Sequence, residues 1–111
     1  SPCREFVHTD DIAEAVITLL SGDTSKIDLP LNIGLGKDIS IRGLAEKISK
    51  IVGYKGKIHW DTSKPDGAHR KLLDSSRIHD FGWHASIDLD KGLKNTYQWY
   101  LENIAKSDTL K

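Results

Sequence analysis

The stretch KPDGAHRKLLDSSRI, residues 64–78, concentrates side chains that can bind an anionic ligand. The basic residues Lys64, His69, Arg70 and Lys71 lie around its Pro-Asp-Gly sequence and can donate hydrogen bonds to phosphate. The segment Lys64–Gly67 fits a type I turn that projects Asp66, with proline second and glycine fourth. Because the Asp66 carboxylate repels phosphate, its expected partners are hydroxyl groups or base N–H donors. A nucleotide sugar carries both kinds of group.

Arg4 is a second candidate for phosphate binding. It opens the β-prone segment REFVH at residues 4–8, which leads into a helix. The N-terminus of a helix presents backbone N–H groups that favour anions, and a guanidinium beside them adds charge. The competing interpretation of both stretches is an ordinary charged surface, because charged turns are common.

Three other groups of residues are poor candidates for chemistry. The glycine pair in Gly34–Gly36 lacks the third glycine of a dinucleotide-binding loop, since Ile39 occupies that position, which favours a plain strand-to-helix turn. Cys3 has no base at a recognised spacing. His79 and His84 flank a glycine and do not share a helical face, so no metal site is predicted.

Composition narrows the classes of function. The chain has 111 residues, enough for one domain with a modest core, and its 16 basic residues balance 16 acidic ones. No global field therefore draws it to nucleic acid or to an anionic membrane. The single cysteine, Cys3, excludes an intramolecular disulfide and fits a reducing, cytoplasmic setting. No apolar run approaches the roughly 18–20 residues of a membrane span.

Four helices are predicted from hydrophobic periodicity and from capping residues. The first follows possible N-caps in Thr9–Asp11 and places Ile12, Val16, Leu19 and Leu20 on one face. The second begins at the cap Ser40 and ends at Gly53. A short helix in residues 75–83 ends at Gly82, and a long one begins after the cap Asp88. A frayed tail is expected at residues 106–111.

The predicted strands are short: residues 4–8, LPLNIG at residues 29–34 and KIHW at residues 57–60. They are too few to build an independent Rossmann sheet. The sequence therefore predicts a small, helix-rich α/β domain covering residues 1–111.

Three motifs in the chain are particular to one family: DTSKPDG, RKLLD and TYQWYLEN. They lie within the last two of four longer segments: PCREFVHTDDIAEAV, LNIGLGKDISIRGLAEKI, VGYKGKIHWDTSKPDGAHRKLLDSSRI and FGWHASIDLDKGLKNTYQWYLEN. Together these segments resemble the C-terminal, substrate-binding part of the GDP-L-fucose synthase family. The members of that family are NADP-dependent GDP-4-keto-6-deoxy-D-mannose 3,5-epimerase/4-reductases of the extended short-chain dehydrogenase/reductase family.

The resemblance implies that Arg4 and Asp66 contact the GDP-sugar, with Lys71 a weaker candidate near the phosphates. The chain departs from the family at residues 68–69, where Ala-His replaces the usual Thr-Pro, and in HTDD, where the family usually has HVDD. The resemblance also implies that the NADP loop and all catalytic residues precede this segment, and that Cys3 is not the family's catalytic cysteine. No catalytic or cofactor-binding residue is therefore expected in this chain.

On this interpretation the chain is a fragment of a larger, homodimeric enzyme and is inactive alone. Its partners are the GDP-sugar and the Rossmann domain of the same parent chain. Two alternatives stay open: the substrate domain of another nucleotide-sugar epimerase or dehydratase, and a free-standing binding module without catalysis.

Overall fold

A small mixed sheet lies beside the candidate site. In the computed structural model, which describes residues 1–25 and 27–106, β1 is the central strand, antiparallel to β2 and parallel to β3. Arg4 pairs with Ile39 on one side and with Lys71 on the other. The sheet therefore brings two predicted cations, Arg4 and Lys71, onto adjacent strands. The strands are β1 (Cys3–Glu5), β2 (Asp38–Ser40) and β3 (Arg70–Lys71).

The four predicted helices are all present. A π-helical turn at Leu101–Ala105 extends the last of them. The predicted frayed tail lies, apart from Lys106, outside the described residues. No helix among the described residues has the length and apolar character needed to cross a bilayer. The helices are α1 (Thr9–Ser21), α2 (Ile41–Val52), α3 (Ser76–Asp80) and α4 (Leu89–Tyr100).

The predicted caps of α2 and α4 are confirmed. The Ser40 hydroxyl accepts a hydrogen bond from the Gly43 N–H at 3.0 Å, and the Asp88 carboxylate accepts one from the Lys91 N–H at 2.8 Å. Gly53 ends α2 with φ 77°, a left-handed conformation that favours glycine. These local signals fix both helices without tertiary information.

The predicted N-cap of α1 within Thr9–Asp11 is wrong. His8 is the cap, and its Nδ1 accepts the Asp10 N–H at 3.0 Å. Asp11 lies inside the first turn and is 1% exposed. Its carboxylate accepts hydrogen bonds from Ser86 and Ile87, which are distant in sequence. It therefore does not accept a hydrogen bond from the N-terminal turn of α1, as a cap would.

The strands predicted at residues 29–34 and 57–60 are also wrong. Residues 30–35 form a connection without strand pairing, in which Ile33 packs against the core and the Asn32 amide donates to the Asp74 carbonyl at 3.2 Å. Residues 57–60 are exposed and likewise pair with no strand within residues 1–25 and 27–106. A β-prone segment becomes a strand only where a neighbour can accept its hydrogen bonds, and polar β2 and β3 have that neighbour in β1.

The core is small and lies between α1 and the α3 region. Ala15, Ile78 and Trp83 are buried, and Leu19 packs against them. The rest of the predicted apolar face of α1 is not covered: Val16 is 46% exposed and Leu20 is 82% exposed. The predicted fold class, a small helix-rich α/β domain, is confirmed, while one apolar side of α1 has no cover in the described chain.

Candidate ligand-binding site

Arg4 contacts the loop at residues 64–68, for which a turn was predicted. Its Nη1 donates to the Cys3 carbonyl at 2.7 Å and to the Ala68 carbonyl at 2.8 Å. A Cβ on Gly67 would lie 3.2 Å from Arg4 Nη2, so the loop backbone approaches the guanidinium closely. Arg4 thus joins β1 to this loop, and within residues 1–25 and 27–106 only its Nη1 atom is engaged in hydrogen bonds.

The turn itself lies earlier than predicted. The hydrogen-bonded turn falls at residues 62–63, whereas residues 65–68 have no turn, so the prediction of a type I turn over Lys64–Gly67 is wrong. The Asp61 carboxylate accepts the Ser63 N–H at 3.0 Å, and hydrogen bonds from Ser63 hold the pKa of Asp61 below its ordinary value. An aspartate that bonds to the backbone two residues later makes its own turn, which displaces the turn toward Asp61.

Asp66 remains available to a ligand. Its carboxylate has no hydrogen bond or ion pair within the described part of the chain, unlike Asp61 and Asp38. It lines an open cavity of about 390 Å³ together with Lys64 and Trp60. An exposed carboxylate without a partner fits the expected role of accepting hydrogen bonds from neutral donors.

The basic residues of the loop are not equivalent. The Arg70 guanidinium on β3 makes a two-pronged ion pair with Asp38 on β2, including an Nη2–Oδ1 contact of 3.2 Å. The hydrogen bond and charge of Asp38 raise the pKa of Arg70. Arg70 therefore links the two edge strands, β3 and β2. It is not free to donate hydrogen bonds to an anionic ligand, contrary to what its sequence position predicts. Lys71 makes no ion pair among the described residues.

The structure brings the three predicted site residues into one region but not into one cavity. Arg4 and Lys71 occupy paired strand positions, and Arg4 holds the loop two residues after Asp66. The cavity lined by Asp66 is not lined by Arg4 or Lys71. Their assignment to a ligand therefore stays a prediction.

Sequence reasoning missed the role of Glu5. Its Oε2 accepts the Gly36 N–H at 2.7 Å, and its Oε1 accepts the Leu73 N–H at 3.2 Å, which joins two connections on either side of β1. A Cβ at Gly34 would lie 2.5 Å from Glu5 Oε2, so a side chain there would displace the carboxylate. No local pattern in REFVH marks this role, because the partners are distant along the chain.

The glycine pair does not fit the pyrophosphate of a dinucleotide. A phosphate-binding loop needs free backbone N–H groups and the absence of negative charge. Here the Glu5 carboxylate lies against the loop and already occupies the Gly36 N–H. The loop is therefore not suited to the pyrophosphate of a dinucleotide cofactor.

A second missed feature is a wall formed by Trp60 and Arg42. The Arg42 guanidinium carbon lies 4.7 Å from the centroid of the Trp60 ring, within the range of a cation–π contact. Both residues line the same cavity as Asp66. Trp60 was predicted only as part of the strand at residues 57–60, with no role in a site; the residue is 37% exposed.

Comparison with known proteins gives consistent matches over nearly the whole chain. The sequence is 47% identical over 104 residues to "Probable GDP-L-fucose synthase 1" of Oryza sativa subsp. japonica, covering 94% of this chain and 31% of that protein. It is 47% identical over 110 residues to "GDP-L-fucose synthase" of Escherichia coli (strain K12), covering 93% of this chain and 34% of that protein. No family model matches the sequence.

A solved structure supports the same relationship. The crystal structure of a GDP-6-OMe-4-keto-L-xylo-heptose reductase from C. jejuni matches with a TM-score of 0.83 and 34% identity, over 92% of this chain and 32% of that one. The chain spans about a third of the length of the curated relatives that it matches. The fold and sequence described above therefore correspond to one part of longer proteins.

Proposed function

We propose that this chain, a member of the GDP-L-fucose synthase family, is the C-terminal, substrate-binding part of an NADP-dependent GDP-4-keto-6-deoxy-mannose 3,5-epimerase/4-reductase. The observation that carries the proposal is the loop at residues 64–68, which Arg4 holds from below and which leaves the Asp66 carboxylate without a partner among the described residues. The likeness to proteins named GDP-L-fucose synthase, at 47% identity, supports the choice of ligand.

Each proposed contact follows from the chemistry of its side chain. Arg4 and Lys71 occupy adjacent strand positions, where two cations suit the two charged phosphates of GDP. Asp66 accepts hydrogen bonds from sugar hydroxyls or from base N–H groups, since a carboxylate and a phosphate repel each other. The ligand therefore lies across the loop, with its phosphates toward the sheet.

The chemical contribution of this chain is orientation. In the proposed reaction, protons are removed and returned at two carbons beside a ketone, and NADPH supplies the hydride that reduces the ketone. Arg4 and Asp66 hold the nucleotide, so that binding energy far from the reacting carbons positions the hexose. The groups that move protons and bind NADP belong, in this proposal, to a preceding Rossmann domain, and the chain alone is inactive.

The uncovered apolar side of α1 supports such a neighbour. Ile17 is 62% exposed and Leu20 is 82% exposed, and burying side chains of this size stabilises by about 1.5–3 kcal/mol each. The matched relatives are about three times as long as the chain, which leaves ample sequence for a second domain. We also propose that the parent protein is a cytoplasmic homodimer.

An assay of the longer protein that carries this chain tests the proposal. With NADPH and GDP-4-keto-6-deoxy-mannose we expect NADPH oxidation and formation of GDP-L-fucose, followed by absorbance and by chromatography. Parallel reactions with GDP-4-keto-heptose and UDP-4-keto-sugars separate the proposal from another nucleotide-sugar enzyme. Turnover confined to a UDP-sugar would refute the assignment of GDP, and no NADPH oxidation with any of these sugars would favour a binding module.

Replacing Asp66 by alanine in the longer protein should lower kcat/KM for the GDP-sugar about tenfold, which corresponds to the lower end of the roughly 1.5–3 kcal/mol that one hydrogen bond to a charged group contributes. Asp66→Asn keeps one acceptor oxygen, so its kcat/KM should lie between that of the parent and that of Asp66→Ala. Steady-state kinetics measure both, and the Kd of NADPH should stay constant.

Asp23→Ala is the matched control. Asp23 is also an exposed aspartate in a polar loop, where it accepts the Ser25 N–H at 3.0 Å, but it does not line the cavity of Asp66. Its replacement should leave kcat/KM within twofold. Equal kinetics for Asp66→Ala and Asp23→Ala would remove Asp66 from the site.

A further inference from the structure

The cavity that Asp66 lines has an aromatic wall with no structural role in the core. Trp60 is 37% exposed, and the buried core consists of Ala15, Ile78 and Trp83 elsewhere in the chain. The whole segment from residue 52 to residue 74 is exposed. More than a third of the surface of this large aromatic residue therefore stays open to a ligand.

The Arg42 guanidinium supports the indole from α2. It lies over the Trp60 ring at 4.7 Å from the centroid, which ties the exposed segment to a regular helix. The Arg42 N–H also donates to the Ser1 hydroxyl at 3.3 Å, close to where β1 begins. An aromatic ring with one face against a cation can stack a flat ligand on its other face, and the adjacent positive charge favours a ligand that also carries phosphate.

We propose that Trp60, supported by Arg42, is the platform on which the purine base of the GDP-sugar stacks. The inference rests on the proposed function and deepens it by giving the base a place. The cavity of about 390 Å³ has room for the base, and Asp66 on the same wall lies where it can accept hydrogen bonds from the nucleoside.

Arg4 lies near the cavity, at a distance that suits the phosphates of a nucleotide whose base occupies it. Pro2 lines the cavity, and Arg4 lies two residues further along the chain, about 7 Å away at the spacing of an extended strand. The backbone at Pro2 is fixed because its carbonyl accepts the Ile41 N–H at 3.0 Å. The base therefore lies at Trp60, the nucleoside edge at Asp66 and the phosphates toward Arg4.

The chain provides an internal comparison in Trp99 on α4. It is more exposed than Trp60, at 56%, but the cavity that it lines is bordered by no lysine or arginine. Among the described residues the cation–π contact belongs to Trp60. Exposure of an indole alone therefore does not single out Trp60, whereas its cation and its neighbour Asp66 do.

Calorimetric titration of the longer protein with GDP and with inorganic pyrophosphate tests the proposal. Trp60→Ala should weaken GDP binding about tenfold, the effect of removing one stacked base, and should leave pyrophosphate binding unchanged. Trp60→Leu keeps apolar bulk without a flat ring and should weaken GDP binding nearly as much. Trp60→Phe should retain most of the affinity, and Trp99→Ala should retain all of it.

The outcomes separate this inference from the proposed function. GDP affinity in Trp60→Ala and Trp60→Leu within twofold of the parent, in a protein that still binds GDP, would overturn the platform and leave the proposed function intact. Equal losses for GDP and pyrophosphate would overturn it too, because the effect would then lie in the loop. A parent protein that binds neither GDP nor the GDP-sugar would overturn the proposed function itself.

Discussion

Replacing Arg4 by alanine in the longer protein should lower kcat/KM for the GDP-sugar about 100-fold, a loss of about 2.7 kcal/mol of transition-state stabilisation. The effect exceeds that of Asp66→Ala because Arg4 has two roles. Its Nη1 holds the Cys3 and Ala68 carbonyls at 2.7 and 2.8 Å, and the rest of the guanidinium is proposed to meet phosphate. Alanine removes the charge and releases the loop that carries Asp66.

Arg4→Lys separates the two roles. A lysine ammonium supplies the same charge as a compact point, whereas the planar guanidinium bridges several acceptors at once. We therefore expect an intermediate loss of about tenfold for Arg4→Lys, with KM rising more than kcat falls. The Kd of NADPH should not change in either variant.

Arg77→Ala is the matched control for the loss of one arginine. Arg77 is exposed on α3 and lines a different cavity, beside Leu31 and Phe81. Its kinetics should remain within twofold of the parent. Arg4→Ala with unchanged sugar-nucleotide kinetics would exclude Arg4 from the site, even if the variant had a lower melting temperature.

Local signals in the sequence predicted the helices because the forces that begin and end a helix act within a few residues. Ser40, Gly53 and Asp88 each perform the capping role that their type and position predict. The start of α1 shows the limit of this reasoning. His8 is the cap in place of a residue within Thr9–Asp11, and Asp11 instead has partners at residues 86–87, more than 70 positions along the chain.

Strands were predicted less well, since a strand requires a partner that local sequence does not identify. KIHW at residues 57–60 has the composition of a strand but pairs with no strand in the described part of the chain, whereas Arg70–Lys71 is polar and pairs with β1. The same argument applies to charge. Arg70 and Lys71 are adjacent in sequence, yet among the described residues Arg70 alone of the two forms an ion pair, with Asp38 on β2.

The residues of the candidate site also fall into two groups: those that the sequence predicted and those that it missed. The sequence pointed to Arg4 and Asp66, through residue type and through resemblance, and the structure places Arg4 beneath the loop of Asp66. Glu5 and Arg42 were not predicted, because their roles depend on contacts with Leu73 and Trp60 across the fold. A residue that positions a loop is recognised only when the loop's neighbours are known.

Replacing Asp11 by alanine should lower the free energy of unfolding by about 3 kcal/mol, a large part of the roughly 5–15 kcal/mol available to a small domain. Its carboxylate is 1% exposed and accepts hydrogen bonds from the Ser86 N–H at 3.1 Å, the Ser86 hydroxyl at 3.0 Å and the Ile87 N–H at 3.0 Å. Alanine leaves these donors without an acceptor and detaches the segment that leads into α4.

Urea denaturation followed by circular dichroism measures the loss. The control is Asp10→Ala, one residue away, whose exposed carboxylate lies 3.9 Å from His8 Nδ1 and whose replacement should cost less than about 0.5 kcal/mol. Asp11→Asn should fall between the two, since its amide keeps one acceptor but turns a donor toward a donor. Equal stability of Asp11→Ala and Asp10→Ala would show that the buried hydrogen bonds contribute nothing net.

The pH dependence gives an independent test of Asp11. Burial alone would raise the pKa of Asp11, but the hydrogen bonds from Ile87 and Ser86 outweigh it and hold the pKa below the ordinary value of 3.8. A carboxyl whose pKa is lowered in the folded state stabilises the fold at every pH above its pKa in the unfolded chain. This stabilisation is lost as the pH falls through its pKa in the folded chain. The difference in unfolding free energy between the parent chain and Asp11→Ala should therefore be constant from neutral pH to about pH 5 and should shrink below about pH 4. A difference that grew on acidification would contradict the ionised, hydrogen-bonded carboxylate, because only a group with a raised pKa behaves in that way.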